Sequence, residues 1–310
     1  MAKHNLKIAT RESPLALWQA NHIKELLMLH WPELEVDLVT MKTTGDKFLK
    51  DKLLNIGGKG LFVKELEEAL LDGRADLAVH SMKDVPASFP DGLNLAAICK
   101  RHDPFDALVS VEHKQLSSLP QRSVVGTVSL RRQTQLLALR PDLIIKPLRG
   151  NILTRIEKLK AGEYDAIVLA ISGLERMERT AYISERFDDQ QMLPACGQGA
   201  IGIECREEDT RLLELLKPLN DKVTSLCVSA ERKVNRLLGG NCHAPLAVYC
   251  APKDDSQVCL KARLLSVDGL IELYSSQTRS IDDVDHMAEQ CATILLEKGA
   301  KQLISDALQS

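Results

Sequence analysis

The stretch LKIATRESPLALWQANHIKELL, residues 6–27, decides the fold. It opens on LKIAT, a short run that reads as a strand, and passes almost at once into a helix. Ser13 stands at the N-cap, with Pro14 at the first helical position, where its missing N–H costs nothing. Ala16, Ala20, Ile23 and Leu27 then recur on one face. A strand that runs directly into an amphipathic helix is half of a βαβ unit, so the first expectation is an α/β layer.

The rhythm continues outward from there. LEVDLVTM (34–41) reads as a strand, and a helix from Leu61 carries Phe62, Leu66, Ala69 and Leu70 at helical spacing until Gly73 closes it. DLAVHS (76–81) is the next strand. A middle region repeats the pattern: VVGT (124–127), a helix through LRRQTQLLALR (130–140), LIIKPL (143–148), a helix from about Ile152 to Lys160 closed by Gly162, and DAIVLA (165–170). After PACGQGAIGIECR (194–206) the character changes. A helix with Leu226, Ala230, Val234 and Leu237 in register ends at Gly239 and Gly240. The strands LAVYCA, CLKARLLS and LIELYSS follow, the last two joined by Asp268-Gly269, a hairpin signal. A helix over about Asp283 to Glu297 completes a small α+β part. Boundaries are expected near Lys100 to Asp103 and near Pro218 to Asp221.

Composition narrows the function classes. With 310 residues, 45% of them hydrophobic, the chain can bury sizeable cores in about two domains. Forty basic against 43 acidic residues leave a net charge of −3, which argues against nucleic acid or an anionic membrane as partner. Aromatic residues are only 4%, too few for a base-stacking platform. No apolar run reaches the roughly 20 residues of a membrane span, and MAKHNLKIATRES has no secretory core or cleavage site, so a cytoplasmic protein is expected. The eight cysteines form no CxxC pair and no zinc spacing. Most are expected to be reduced, with Cys205, Cys227 and Cys291 buried in apolar patterns.

Ligands of open α/β sheets gather at the carboxyl ends of strands. Those positions share a theme: Arg11 and Ser13 after LKIAT, Lys83-Asp84 after DLAVHS, Ser129 with Arg131 and Arg132 after VVGT, Arg149 and Arg155 after LIIKPL, Arg176 after DAIVLA. Arginine forks and helix N-termini both favour carboxylates and phosphates, so a polyanionic small molecule is the expected ligand. Each arginine alone reads more readily as a solvated helix-start residue, and it is their joint recurrence at one sheet edge that points to a shared anion cleft. GGKGLF (57–62) misses the phosphate-loop pattern and reads as a plain turn or a hinge in which Lys59 reaches an anion. Asp84, the lone acid after an apolar strand, could stabilise a cation or move a proton, or serve as a cap or a partner of Lys83. His80 reads as a satisfied core histidine. Cys242, in the loop GGNCHAP, is a candidate nucleophile, although no separate histidine and Asn/Asp set supports a Cys/His hydrolase.

RESPLALWQ, GGKGLFVKELEEALL, VHSMKDVP, GTVSLRRQ, LRGN followed by TR, PACGQGA and the Cys242 loop together resemble the porphobilinogen deaminase (hydroxymethylbilane synthase) family, in order over almost the whole chain. The resemblance implies two α/β lobes of the type II periplasmic-binding-protein kind plus a small C-terminal α+β domain: residues 1–100 with 198–218, residues 103–195, and residues 220–310. It implies a transferase of tetrapyrrole (haem) biosynthesis that condenses four porphobilinogen molecules into hydroxymethylbilane with release of ammonia. Cys242 would carry a dipyrromethane cofactor through a thioether, and Asp84 would be the catalytic carboxylate. Cofactor contacts pass to Lys83, Ser129, Arg131, Arg132 and Arg155. Substrate contacts pass to Arg11, Ser13, Arg149, Arg176, Lys59 and Phe62. No metal, nucleic acid or membrane partner is expected, and a monomer is. Two positions depart from the family pattern: Asn241 stands before the cysteine where glycine is usual, and Val128 where serine is frequent. The competing reading is a non-catalytic bilobal anion-binding protein, which would need neither Asp84 nor Cys242.

Overall fold

The computed structural model describes residues 5–47, 63–240 and 244–309. In chain order the elements are β1 (Asn5–Arg11), α1 (Pro14–His30), β2 (Glu35–Met41), α2 (Thr44–Lys47), α3 (Lys64–Leu71), β3 (Leu77–Ser81), β4 (Leu93–Ile98) and β5 (Asp106–Val109). There follow β6 (Val124–Gly126), α4 (Leu130–Leu139), β7 (Ile144–Lys146), α5 (Ile152–Lys160), β8 (Ala166–Ala170), α6 (Ile171–Arg176) and β9 (Ile183–Arg186). The last part holds β10 (Ile201–Arg206), α7 (Thr210–Leu216), α8 (Lys222–Leu237), β11 (Leu246–Pro252), β12 (Gln257–Leu265), β13 (Glu272–Ser280), α9 (Val284–Glu297) and α10 (Ala300–Gln309). The chain divides into two compact units, residues 1–102 with 200–225 and residues 103–199 with 226–310.

Unit 1 is built on a five-stranded sheet of order β2-β1-β3-β10-β4. β1 runs parallel to β2 and β3, whereas β10 enters antiparallel between β3 and β4. α1 buries Ala20, Ile23 and Leu27 with Ile8, Leu77 and Ile203 on one face. α3 buries Leu66, Ala69 and Leu70 with Ala9 and Ala78 on the other. β3 is therefore covered on both sides, which is why Leu77, Ala78 and Val79 form an unbroken apolar run. Gly73, at φ +78°, takes the left-handed conformation expected after α3.

Unit 2 repeats this plan. Its five-stranded sheet has the order β7-β6-β8-β5-β9, with β6 parallel to β7 and β8, and β5 antiparallel between β8 and β9. In both sheets the antiparallel strand is the first one made after the chain crosses from the other unit. α4 places Leu136 with Leu108, Val125 and Val168 on one face, and α5 places Ile156 and Leu159 with Val109, Ile167 and Leu169 on the other.

The rest of unit 2 is an antiparallel sheet, β11-β12-β13, whose core is shared with α8, α9 and α10. Two features here differ from the pattern expected from sequence. α8 buries Cys227, Ala230 and Val234, and Leu238, just past its last residue, is buried while Leu237 is exposed, because the buried stripe steps by four from Val234. The β12–β13 connection spans residues 266–271 rather than two residues, with Asp268-Gly269 at its tip. Gly269, at φ +76°, lies so close to α4 that a Cβ would sit 2.6 Å from Ala138 N and 2.8 Å from Thr134 O. The glycine thus lets the hairpin tip lie on helix backbone.

Candidate active site

In unit 1 the candidate residues follow β1 and β3. Ser13 caps α1 by accepting the Ala16 N–H at 3.4 Å, and half-buried Arg11 ends β1 immediately before it. β3 runs into a single 3-10 turn, Met82–Asp84, which presents half-buried Lys83 and exposed Asp84. Asp84 is the last residue of that turn and not its cap. The turn is tied down from behind: Met82 N–H donates to Ala200 O at 3.0 Å, Val85 N–H to Met82 O at 3.2 Å, and Gln19 Nε2 to Ser81 Oγ at 2.8 Å. Gly202 on β10 makes room for Met82, since a Cβ there would stand 2.2 Å from Met82 Sδ. His80 is a buried, satisfied histidine, its Nε2 2.8 Å from Glu204 Oε2. Burial, reinforced by the Glu204 charge and partly opposed by His80, pushes the nearby Glu67 carboxyl up to about 7.

In unit 2 the candidates follow β6, β7 and β8. Ser129 occupies the N-cap position of α4, and its N–H donates to Thr127 Oγ1 at 3.1 Å. Arg131 and Arg132, in the first turn of α4, are only 5% and 6% exposed. Arg131 donates through Nη2 to Asp106 Oδ2 at 2.8 Å and through Nη1 to Leu193 O at 2.7 Å. Arg132 donates through Nη2 to Asp106 Oδ1 at 2.7 Å and through Nη1 to Val168 O at 2.9 Å. Burial alone would push the Asp106 carboxyl up, but the two guanidiniums outweigh it and hold it well below the usual carboxylate range. Burial also lowers the Arg131 pKa, offset in part by Asp106, while Arg132 adds its repulsion.

Asn151 caps α5 by accepting the Thr154 N–H at 3.0 Å, and Arg155 Nε donates to Gly150 O at 2.7 Å. Half-buried Arg149 precedes Gly150, whose φ of +120° turns the chain into that cap. Arg176 departs from the expected strand-edge position: α6 intervenes, so Arg176 lies at its far end, buried, with Nη2 donating to Gly199 O at 2.7 Å. Val128 is exposed beside Ser129. Lys59, Phe62, Asn241 and Cys242 lie outside the described residues.

Three acids escaped the sequence reading. Asp106 opens an apolar strand, as Asp84 follows one. Glu204 interrupts the apolar run of β10, and Glu231 lies on the buried face of α8, accepting Gly197 N–H at 2.6 Å and Cys250 N–H at 2.8 Å. An acid inside an apolar pattern was the signal in each case. The cysteines at 205, 227 and 291 are buried, and burial drives the Cys205 thiol up to about 11. Among the described residues no group of three or more histidines, cysteines and acids is placed to hold a metal.

The arrangement can thus present cationic side chains and one exposed carboxylate at the ends of strands that are equivalent in the two sheets, β1 with β6 and β3 with β8. Residues 6–214 match the family model described as porphobilinogen deaminase, dipyromethane cofactor binding domain, and residues 225–299 match the porphobilinogen deaminase C-terminal domain. The chain belongs to the porphobilinogen deaminase family. Porphobilinogen deaminases of Legionella pneumophila strains Lens and Paris are each 55% identical to it over 305 residues, covering 98% of this chain and 99% of theirs. Among solved structures it is similar to the periplasmic VFT2 domain of Bordetella pertussis BvgS, at 17% identity and a TM-score of 0.43, over 68% of this chain and 85% of that one. Family members are transferases, and an anionic cofactor suits the residues present: one carboxylate faces two buried guanidiniums, and Arg132 Nε is buried with no hydrogen-bond partner among the described residues.

Proposed function

We propose that this chain carries out the hydroxymethylbilane synthase reaction of its family with Asp84 as catalytic carboxylate and Cys242 as the covalent attachment point of the dipyrromethane. In each round a porphobilinogen loses its amino group as ammonia, a carbon–carbon bond forms to the free α-carbon of the growing chain, and that carbon gives up its proton. The dipyrromethane, when bound, supplies the α-carbon on which the chain is built.

The chain's own residues have three tasks. The first is to neutralise carboxylates, because each pyrrole brings an acetate and a propionate that are costly to desolvate unpaired. We assign Arg11, Ser13, Arg149, Arg176, Lys59 and Phe62 to the substrate, and Lys83, Ser129, Arg131, Arg132 and Arg155 to the cofactor. The second is to stabilise the cation left when ammonia departs. Asp84 answers this: its carboxylate accepts the pyrrole N–H and opposes a positive charge that exists only near the transition state. The third is to receive the α-proton as aromaticity returns, which the same carboxylate can do.

The observation that carries this reading is the exposed Asp84 on a turn braced by Ala200, Gln19 and Gly202. A three-domain division, at residues 1–100 with 198–218, 103–195 and 220–310, a cytoplasmic location and a monomeric state complete the proposal. No helix among the described residues is long and apolar enough to cross a membrane. The test is to supply porphobilinogen, follow its loss and the release of ammonia, and treat denatured protein with Ehrlich's reagent. Turnover with a coloured adduct is expected. Saturable binding without turnover or colour would contradict the proposal and favour an anion-binding protein.

A further inference from the structure

Asp106 has no place in the proposed reaction, yet both of its carboxylate oxygens are engaged by buried side chains. It is completely buried at the start of β5. Its Oδ2 takes Arg131, and its Oδ1 takes Arg132 and, at 3.0 Å, Gln198 Nε2. Gln198 also donates to Pro104 O at 2.7 Å. The chain enters unit 2 at Asp103 and leaves it after Gly199. One carboxylate thus ties both of those segments to the first turn of α4.

The charge count is uneven. Two guanidiniums face one carboxylate, and Gln198 adds none, so the buried cluster keeps one positive charge. A structural ion pair would be balanced, because an extra buried charge is expensive and two apolar residues would pack as well. The excess makes sense if something anionic completes the cluster. Each guanidinium is fixed at two points, on Asp106 and on a backbone carbonyl, so its plane is set before any ligand arrives. Preset donors of this kind avoid the cost of ordering long side chains on binding.

We infer that Asp106 is a positioning residue. It acts through Arg131 and Arg132, fixing the two guanidiniums that receive an acidic side chain of the dipyrromethane and leaving one positive charge for that acid to neutralise. This inference rests on the assignment of those arginines to the cofactor. With both oxygens engaged and no exposed surface, Asp106 itself does not touch the ligand.

The test uses full-length protein purified as expressed: wild type, Asp106→Asn and Asp106→Glu. Intact mass reads the fraction carrying a two-pyrrole adduct, and circular dichroism with a thermal melt establishes folding. Wild type is expected to be loaded. Asp106→Asn keeps the shape and loses the charge, so its loaded fraction should fall at least tenfold while the protein still melts cooperatively. Asp106→Glu keeps the charge on a longer arm and should recover part of the loading. A folded Asp106→Asn protein loaded like wild type overturns the inference, and so does a folded Asp106→Glu protein loaded no better than Asp106→Asn. If neither variant accumulates as folded protein, Asp106 serves folding alone and the inference falls. A wild-type protein without adduct would instead overturn the cofactor reading on which it rests.

Discussion

Replacing Asp84 with asparagine should separate holding pyrroles from joining them. The perturbation is nearly isosteric, and the turn that carries residue 84 is held by backbone bonds from Met82 to Ala200 and from Val85 to Met82, none of which uses the Asp84 side chain. Asp84 is exposed, so folding should be almost indifferent, with a melting shift within about 2 °C. The effect on rate is set by one lost charge opposite a developing cation. At a separation of about 4 Å that interaction is worth about 1 kcal/mol in water and about 4 kcal/mol at an effective dielectric of about 20. These correspond to roughly fivefold and roughly a thousandfold in rate. A substrate that covers the turn moves the value toward the upper figure, so we expect turnover to fall by roughly 10² to 10³. KM for porphobilinogen should change much less, because the arginines that pair its carboxylates are untouched. The assay is the initial rate of porphobilinogen consumption over a range of concentrations, on variant protein whose adduct has been verified by mass. An Asp84→Asn protein that turns over at the wild-type rate would refute the reasoning, and so would one whose entire loss lies in KM.

Other outcomes follow from the same structure. Arg149→Leu should fold normally and lose on the order of a hundredfold in kcat/KM, since a charge-assisted partner of a substrate carboxylate is removed; unchanged kinetics would make Arg149 a surface residue. Glu67 has a folded pKa of about 7 against 4.5 in the unfolded chain, so its contribution is full below about 4.5 and is lost as pH rises through 7. Glu67→Gln should therefore melt higher than wild type at pH 8 but not at pH 4.5; equal differences at both pH values would contradict this. Gly269→Ala should cost about 1–3 kcal/mol, read by chemical denaturation, because the new methyl meets α4 backbone and the left-handed φ is strained. A neutral effect would mean that the hairpin tip does not rest on α4.

The parts of the fold that were legible were those that a local pattern determines. β1 and α1 followed from an apolar strand, a serine cap and a proline at the first helical position, and α5 from the stretch between Asn151 and Gly162. What local pattern does not carry is the partner of a strand. IGIECR is apolar enough for a strand, but nothing local says that β10 returns to unit 1 and lies antiparallel between β3 and β4. β5 and β9 were missed for a different reason: each is only four residues long, too short to show a period. At the site, the strand-end theme located Arg11, Lys83, Ser129 and Arg149 because βα connections are short. It misplaced Arg176, where the short helix α6 follows β8 before the arginine. It could not foresee that Arg131 and Arg132 share a buried acid 25 and 26 residues away in sequence.

The most direct measurement is the intact mass of the purified chain before and after brief exposure to porphobilinogen, beside Cys242→Ala protein treated alike. The account predicts a wild-type mass above that of the bare chain by two pyrrole units, then a ladder of further pyrrole additions that resets as the tetrapyrrole leaves. Cys242→Ala protein should fold and stay at its bare mass throughout. A wild-type chain that stays bare and leaves porphobilinogen unconsumed, or a Cys242→Ala chain that gains the adduct and the ladder, would contradict it.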